Sequence, residues 1–181
     1  IKWNDIEGLE ELLNMHGNDI ACFISSPYDH PVSRDNSLPE EGYWKKITSL
    51  CKQYEVLTIV DDVRAGFRIN LGGSNVAFDF SPDMICFGKA IANGHPLASL
   101  VGTEKLKHSA EKVYFTGTQF FSAPPMAAAL ATLDQLQKVN APNKLIEYGE
   151  NLNKRLVEVA EKEGFNLIAT GIPSMPYYRL E

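Results

Sequence analysis

Residues 56–89 read VLTIVDDVRAGFRINLGGSNVAFDFSPDMICFGK, and two short apolar runs within them each stop at a charge. Val56 to Val60 ends at Asp61, and Met84 to Phe87 ends, one glycine later, at Lys89. In an open α/β sheet the carboxyl ends of parallel strands border the ligand crevice, so a charge directly after a buried strand is placed to touch a ligand. Asp61 and Lys89 are therefore the candidate pair. An aspartate and a lysine that reach one crevice suit pyridoxal phosphate: the lysine amine forms a Schiff base, and the carboxylate keeps the pyridine nitrogen protonated so that the ring draws electrons. A solvated loop position is the plainer alternative for either residue, and spacing alone does not separate the two.

The run DDVRAGFR, followed by SPDMICFGKAIANGHPLASLVG, resembles the class III (fold type I) aminotransferases, most closely their glutamate-1-semialdehyde aminomutase branch. The pattern there is Asp-Glu-Val, Gly-Phe-Arg, a Gly-Gly loop, Pro-Asp, then Gly-Lys with a glycine-rich turn and a proline. Asp61, Val63, Gly66, Phe67, Arg68, Gly72, Gly73, Pro82, Asp83, Gly88, Lys89, Gly94 and Pro96 fall on it without a gap. The resemblance implies an α/β three-layer sandwich with a mainly parallel sheet, the major domain of a fold type I transferase. It implies an enzyme that uses pyridoxal 5′-phosphate and acts on a small amino compound by amino transfer or 1,2-migration. Lys89 would be both the Schiff-base lysine and the base that moves the α-proton, Asp61 the partner of the pyridine nitrogen, and Val63 the side chain against one face of the ring.

Further along, Gly117-Thr118 and the apolar helix from Met126 to Leu133 also match. By resemblance Thr118 binds the cofactor phosphate of a neighbouring subunit, which implies a homodimer with shared active sites; the apolar Phe120 and Phe121 beside it suit burial in such a contact. Two places depart from the pattern. Ser26-Pro27 stands where the family usually has Glu-Pro, and Ser122 with Pro124-Pro125 replaces the usual residues before the helix. These departures keep open a second reading, a catalytically inactive aminotransferase-like domain that binds a ligand or partner. A nicotinamide dehydrogenase fits poorly, because no G-x-G-x-x-G follows the first strand. Aminotransferase, aminomutase, racemase and decarboxylase are not distinguished, nor is the substrate named.

Composition narrows the classes. The 181 residues are 44% hydrophobic and 22% charged, in the range of globular domains. No apolar run approaches the roughly 18 residues of a membrane span, and the first residues do not read as a signal segment. The net charge of −6 argues against a nucleic-acid partner. Cys22, Cys51 and Cys86 lie in apolar patterns and read as buried reduced thiols, which fits a cytoplasmic setting. No cluster of His, Cys and acids suggests a metal. His95, close to Lys89 in sequence, is a candidate to reach substrate, whereas His16, His30 and His108 follow no pattern. The chain opens at Ile1 and reads as a fragment: residues 1–140 are expected to be the second half of a cofactor-binding large domain, and 141–181 a linking helix and the start of a small C-terminal domain.

Local spacing predicts a helix over residues 5–16 with a capping box from Asn4 to Glu7 and Gly17 at its end. A strand buried on both faces is expected over Ile20 to Ile24, then a polar loop over 28–39 at the ligand end of the sheet. Glu40 to Tyr54 reads as an amphipathic helix with Trp44 in the core, completing a βαβ unit. A strand is expected over Leu97 to Val101, and Asn143 to Glu163 as a long helix with Leu145, Ile146, Leu152, Leu156 and Val159 inward. Phe165 to Ala169 and Met175 to Tyr178 read as the last strands. Arg64 and Arg68 are expected in ion pairs, and Asp62 in holding neighbouring loop groups.

Overall fold

The computed structural model describes residues 1–181. Helix α1 (Ile6–His16) buries Leu9 and Leu13, which lie four apart and so share one face. The expected capping box does not form. Asp5 is the N-cap instead, accepting the Gly8 N–H at 2.9 Å. Asn4 turns away to the loop before the next helix, donating to the Leu38 carbonyl and accepting the Glu40 N–H. Gly17, with φ of −54°, opens a short 3-10 turn and is not a left-handed cap. Helix α2 (Tyr43–Gln53) buries Tyr43, Trp44, Ile47 and Cys51. Trp44 is a core residue, as its spacing predicts: its ring stacks on Phe80 with centroids 4.2 Å apart, and its Nε1 donates to the Pro27 carbonyl at 2.8 Å.

Strands β1 (Cys22–Ser25), β2 (Leu57–Asp61) and β3 (Met84–Phe87) pair in parallel in that order, and β4 (Ser99–Gly102) closes the sheet antiparallel to β3. The sheet is thus mainly parallel and the fold α/β, with α2 as the crossover between β1 and β2. The larger apolar cluster joins α1 and α2 to Val56, Val60 and Phe80. A second joins Phe67, Phe87, Ile91, Ala92 and Ala129, where α5 (Ala123–Lys138) packs on the 3-10 turn Lys89–Ala92. Single helical turns α3 (Ser74–Ala77) and α4 (Lys107–Ala110) lie between these elements.

Two burial expectations are corrected. Strand β1 is not buried on both faces: Phe23 packs on the larger cluster, whereas Cys22 and Ile24 are exposed. Alternate side chains of a strand point to opposite faces, and no element of this chain covers the second one. Cys22 is accordingly an exposed thiol, while Cys51 is buried. The apolar stripe of helix α6 (Ala141–Lys162) also faces outward, with Leu145, Leu152, Leu156 and Val159 exposed and Ile146 half-buried. The line that meets the rest of the chain is Pro142, Gly149 and Asn153, about a quarter-turn away. A Cβ on Gly149 would stand 1.9 Å from the Pro173 carbonyl oxygen, so only glycine permits this approach. Strands β5 (Leu167–Thr170) and β6 (Tyr177–Leu180) form the antiparallel hairpin beside it. No helix is long and apolar enough to cross a membrane.

The turn after β2 is held by Asp62. This side chain is 1% exposed and accepts both the Ser74 N–H at 2.8 Å and the Ser74 hydroxyl at 2.5 Å. The expectation that Asp62 holds loop groups is met. Gly73, at φ of 101°, lies so close that a Cβ would stand 3.2 Å from the Phe87 ring and 3.3 Å from the Asp62 carboxylate. Burial raises the Asp62 pKa above the ordinary carboxylate range, against the Ser74 hydrogen bonds, which lower it. The folded state therefore holds this proton more tightly than the unfolded one. Its contribution to stability is greatest below the ordinary carboxylate pKa and is lost as pH rises through the raised value. Asp62→Asn, whose carboxamide can still face both Ser74 groups, should gain stability relative to wild type as pH rises across that window, read by urea unfolding. Asp62→Ala leaves two buried Ser74 donors unpaired and should cost about 1–3 kcal/mol at neutral pH.

Candidate functional site

The parallel register sets Asp61, the last residue of β2, beside Cys86 of β3, two residues before Gly88 and three before Lys89. The carboxyl ends of the two strands thereby bring Asp61 and Lys89 to one edge of the sheet. Both side chains are exposed there. One Asp61 oxygen accepts the Val63 N–H at 3.2 Å, and the other carries no hydrogen bond from the chain. Val63 stands against Gly88: a Cβ on that glycine would lie 3.1 Å from a Val63 methyl. The sequence-predicted Asp61, Val63 and Lys89 thus converge.

Lys89 has φ of 44°, a left-handed backbone in which a side chain other than glycine is strained. Such strain persists only where surrounding structure enforces it. Here Ile91 and Ala92, buried under α5, anchor the 3-10 turn that Lys89 opens. The result is an exposed primary amine on a pinned backbone. An amine free to condense with an aldehyde, a carboxylate with an open oxygen and a branched apolar side chain beside them fit the donor set that a pyridoxal ring requires.

Beside Asp61, at the end of β1, lies a group that spacing did not reveal. Arg64 Nη1 donates to the His30 carbonyl oxygen and lies 3.2 Å from His30 Nδ1. Burial, joined by the Arg64 charge, lowers the His30 pKa, while its backbone hydrogen bond and the Asp29 and Asp61 charges oppose the shift. Its Nε2 is buried without a partner, as is the hydroxyl of Tyr28, whose ring lies 4.8 Å from the imidazole. Burial pushes the Tyr28 phenol up to about 12, against the charges of Arg64 and Arg68. The expected ion pairs of these two arginines do not form: Arg68 Nε donates to the Arg64 carbonyl, and neither guanidinium meets a carboxylate. Only the position of the loop, at the ligand end of β1, signalled His30 in the sequence.

Thr118 is not brought to this edge by any hydrogen bond. It lies on an exposed turn before α5, where Phe120 N–H donates to the Gly117 carbonyl. His95 sits exposed in the turn after Ala92, and Ser26 is half-buried at the end of β1, its carbonyl accepting the Ser25 hydroxyl.

A family model described as aminotransferase class-III matches residues 3–170. Among curated proteins, the chain is 34% identical over 176 residues to the 3-aminobutyryl-CoA aminotransferase of Cloacimonas acidaminovorans, covering 97% of this chain and 42% of that protein. It is 34% identical over 174 residues to the aminopentol aminotransferase of Sphingopyxis macrogoltabida, with 96% and 41% covered. To the glutamate-1-semialdehyde 2,1-aminomutase of a Sulfurihydrogenibium species it is 30% identical over 180 residues, with 97% and 41% covered. The chain thus spans about two-fifths of the length of the curated relatives it matches. Among solved structures it superposes on the PLP internal aldimine form of the FumI protein of Sphingopyxis sp. MTA144 with a TM-score of 0.94 and 33% identity, over 99% of this chain and 44% of that one. With the family model spanning residues 3–170, the strands that carry Asp61 and Lys89 included, the chain belongs to the class-III aminotransferase family.

Proposed function

We propose that this chain is the lysine-bearing part of a pyridoxal-phosphate-dependent aminotransferase or aminomutase acting on a small amino compound. The observation that carries the reading is the convergence of Asp61, Val63 and Lys89 at the carboxyl edge of the sheet, in a chain of this family. When bound, the cofactor supplies an electron sink for the bond that breaks at the substrate Cα. Lys89 would hold the cofactor through its aldehyde group, and its Nζ would be the base that takes and returns the substrate Cα proton. Asp61 would keep the pyridine nitrogen protonated with the carboxylate oxygen that the Val63 N–H leaves open. Val63 fills one side of the crevice without offering a competing proton, and excludes water from it.

The working unit in this reading is a homodimer. The Phe120 and Phe121 rings lie tilted to one another with centroids 4.1 Å apart, yet stay 40% and 77% exposed, and Tyr114 and Phe115 beside them are exposed too. Neighbouring exposed aromatics of this kind suit a partner surface, and Thr118 on the same stretch would reach the phosphate held by a second copy. Residues 1–140 are then the second half of the cofactor domain, and 141–181 lead into a smaller one. The three free cysteines support a reducing, cytoplasmic compartment.

In the full-length protein, borohydride reduction in the presence of pyridoxal phosphate should add the reduced cofactor to the peptide containing Lys89. Lys89→Ala should take no label and lose turnover while keeping its far-ultraviolet circular dichroism; a labelled or active variant would refute the assignment. Asp61→Asn should still take the label but exchange the Cα deuterium of an amino donor roughly 10²- to 10⁴-fold more slowly. A normal exchange rate would remove Asp61 from that role. Thr118→Ala, losing one hydroxyl bond to a charged group worth about 1.5–3 kcal/mol, should weaken cofactor binding by about ten- to a hundredfold. Mixing Lys89→Ala with Thr118→Ala subunits should restore one intact site per mixed dimer, and a sedimentation profile showing an active monomer would rule the shared site out.

A further inference from the structure

The loop between β1 and α2 begins at the candidate site and is tied, farther along, to the C-terminal hairpin. At its start, His30 is gripped by Arg64 through the carbonyl oxygen and Nδ1. The loop then turns back on itself. Asp29 and Ser37 exchange N–H···O bonds of 3.0 and 2.8 Å, and Arg34 pairs with Asp29. On the outer side of this turn, the Asp35 carboxylate accepts Arg179 Nε at 2.9 and 3.0 Å, from strand β6. Asn36 donates its backbone N–H to Thr170 Oγ1 of β5 at 3.0 Å and its side-chain amide to the Met175 carbonyl at 3.3 Å. Gly171 leaves room for this contact, since a Cβ there would stand 2.4 Å from the Asn36 amide nitrogen. Met175 itself packs against Tyr28 and Ala65.

The loop is built to carry displacement. It holds no glycine from Tyr28 to Glu41, and Pro31 and Pro39 restrict its backbone. The Asp29–Ser37 bridge closes it into a loop, with His30 inside and Asp35 and Asn36 bonded to the hairpin.

We propose that Asp35 and Asn36 are positioning residues that couple the β5–β6 hairpin to His30 and Arg64, so that the hairpin sets how these two side chains stand beside Asp61 at the edge of the crevice. The inference rests on the reading of that edge as the active site. His30 lies near enough to Asp61 to feel its charge, and its Nε2 is buried without a partner, so the placement of His30 and Arg64 shapes the crevice that Asp61 borders.

The test uses the full-length, cofactor-loaded protein and its single-turnover half-reaction with whichever of L-alanine, β-alanine and 1-aminobutane the wild type deaminates fastest. Asp35→Ala and Arg179→Ala should each raise the half-saturating donor concentration about tenfold, the size expected of a small misplacement, with the maximal rate nearly unchanged. The double variant should be no worse than Arg179→Ala alone, because that change already removes the tie to Asp35 along with the Glu181 pair. Asp35→Asn keeps an acceptor for Arg179 Nε and should recover most of the loss; being nearly isosteric, it also serves if the alanine variant fails to fold. Borohydride labelling of Lys89 should match wild type throughout. Labelled variants with an unchanged half-saturating concentration, or a double variant whose effect is the product of the two, would overturn the coupling alone. A wild type that takes no label at Lys89 would overturn the reading on which it rests.

Discussion

The site depends on one register. Strands β2 and β3 run parallel with Asp61 opposite Cys86, so both chains leave the sheet on the same side and within a few residues of each other. An antiparallel pairing would send Lys89 to the opposite edge from Asp61. Parallel pairing in turn requires a crossover of chain between the strands, and the 62–83 segment supplies it as a turn anchored at both ends. At its start Asp62 binds Ser74 and pins the Gly72–Gly73 loop under Phe87. At its end Asp83 accepts the Thr58 N–H and hydroxyl of β2 at 2.8 and 3.0 Å, joining the entry of β3 to its neighbour.

Adjacent aspartates show how position divides roles between identical side chains. Asp61 ends a strand on its outward side and stays exposed; Asp62 points inward and is nearly inaccessible. Burial raises the pKa of Asp62, and Ser74 supplies the donors that make its burial tolerable. The pyridine-facing role is proposed for Asp61, and Asp62 is architectural through Ser74. Asp61 ends β2 and Asp62 opens the turn, so the two side chains leave the backbone in different surroundings.

The uncovered surfaces form a consistent set. Ile24 on β1, the leucines and Val159 on α6, and the aromatics from Tyr114 to Phe121 are apolar and exposed. The chain covers only about two-fifths of its relatives. These faces lie outside the apolar clusters centred on Trp44, Phe87 and Tyr28.

Much of this was legible in the residues. The apolar runs that stop at Asp61 and Lys89, the helical spacing of Trp44, Ile47 and Cys51, and the ungapped motif from Asp61 to Pro96 pointed to a mainly parallel α/β sheet and to the family. Local apolar periodicity reports which residues seek burial, and short motifs report chemistry, so both survive in one dimension. What periodicity cannot report is which of two apolar lines along a helix meets the rest of the chain. In α6 the small line of Pro142 and Gly149 is in contact, because the hairpin approaches closer than a leucine allows. Nor can it foresee that Asp5 outcompetes Asn4 as a cap, that Arg64 grips His30 where an ion pair was expected, or that Arg179 and Asp35 meet across 144 residues of sequence. Those contacts join distant segments whose meeting is set by the packing of the whole chain. The sequence by itself determined the fold class and the Asp61–Lys89 pair; tertiary structure alone decided what surrounds that pair, because polar partners are chosen by proximity in space and not by spacing along the chain.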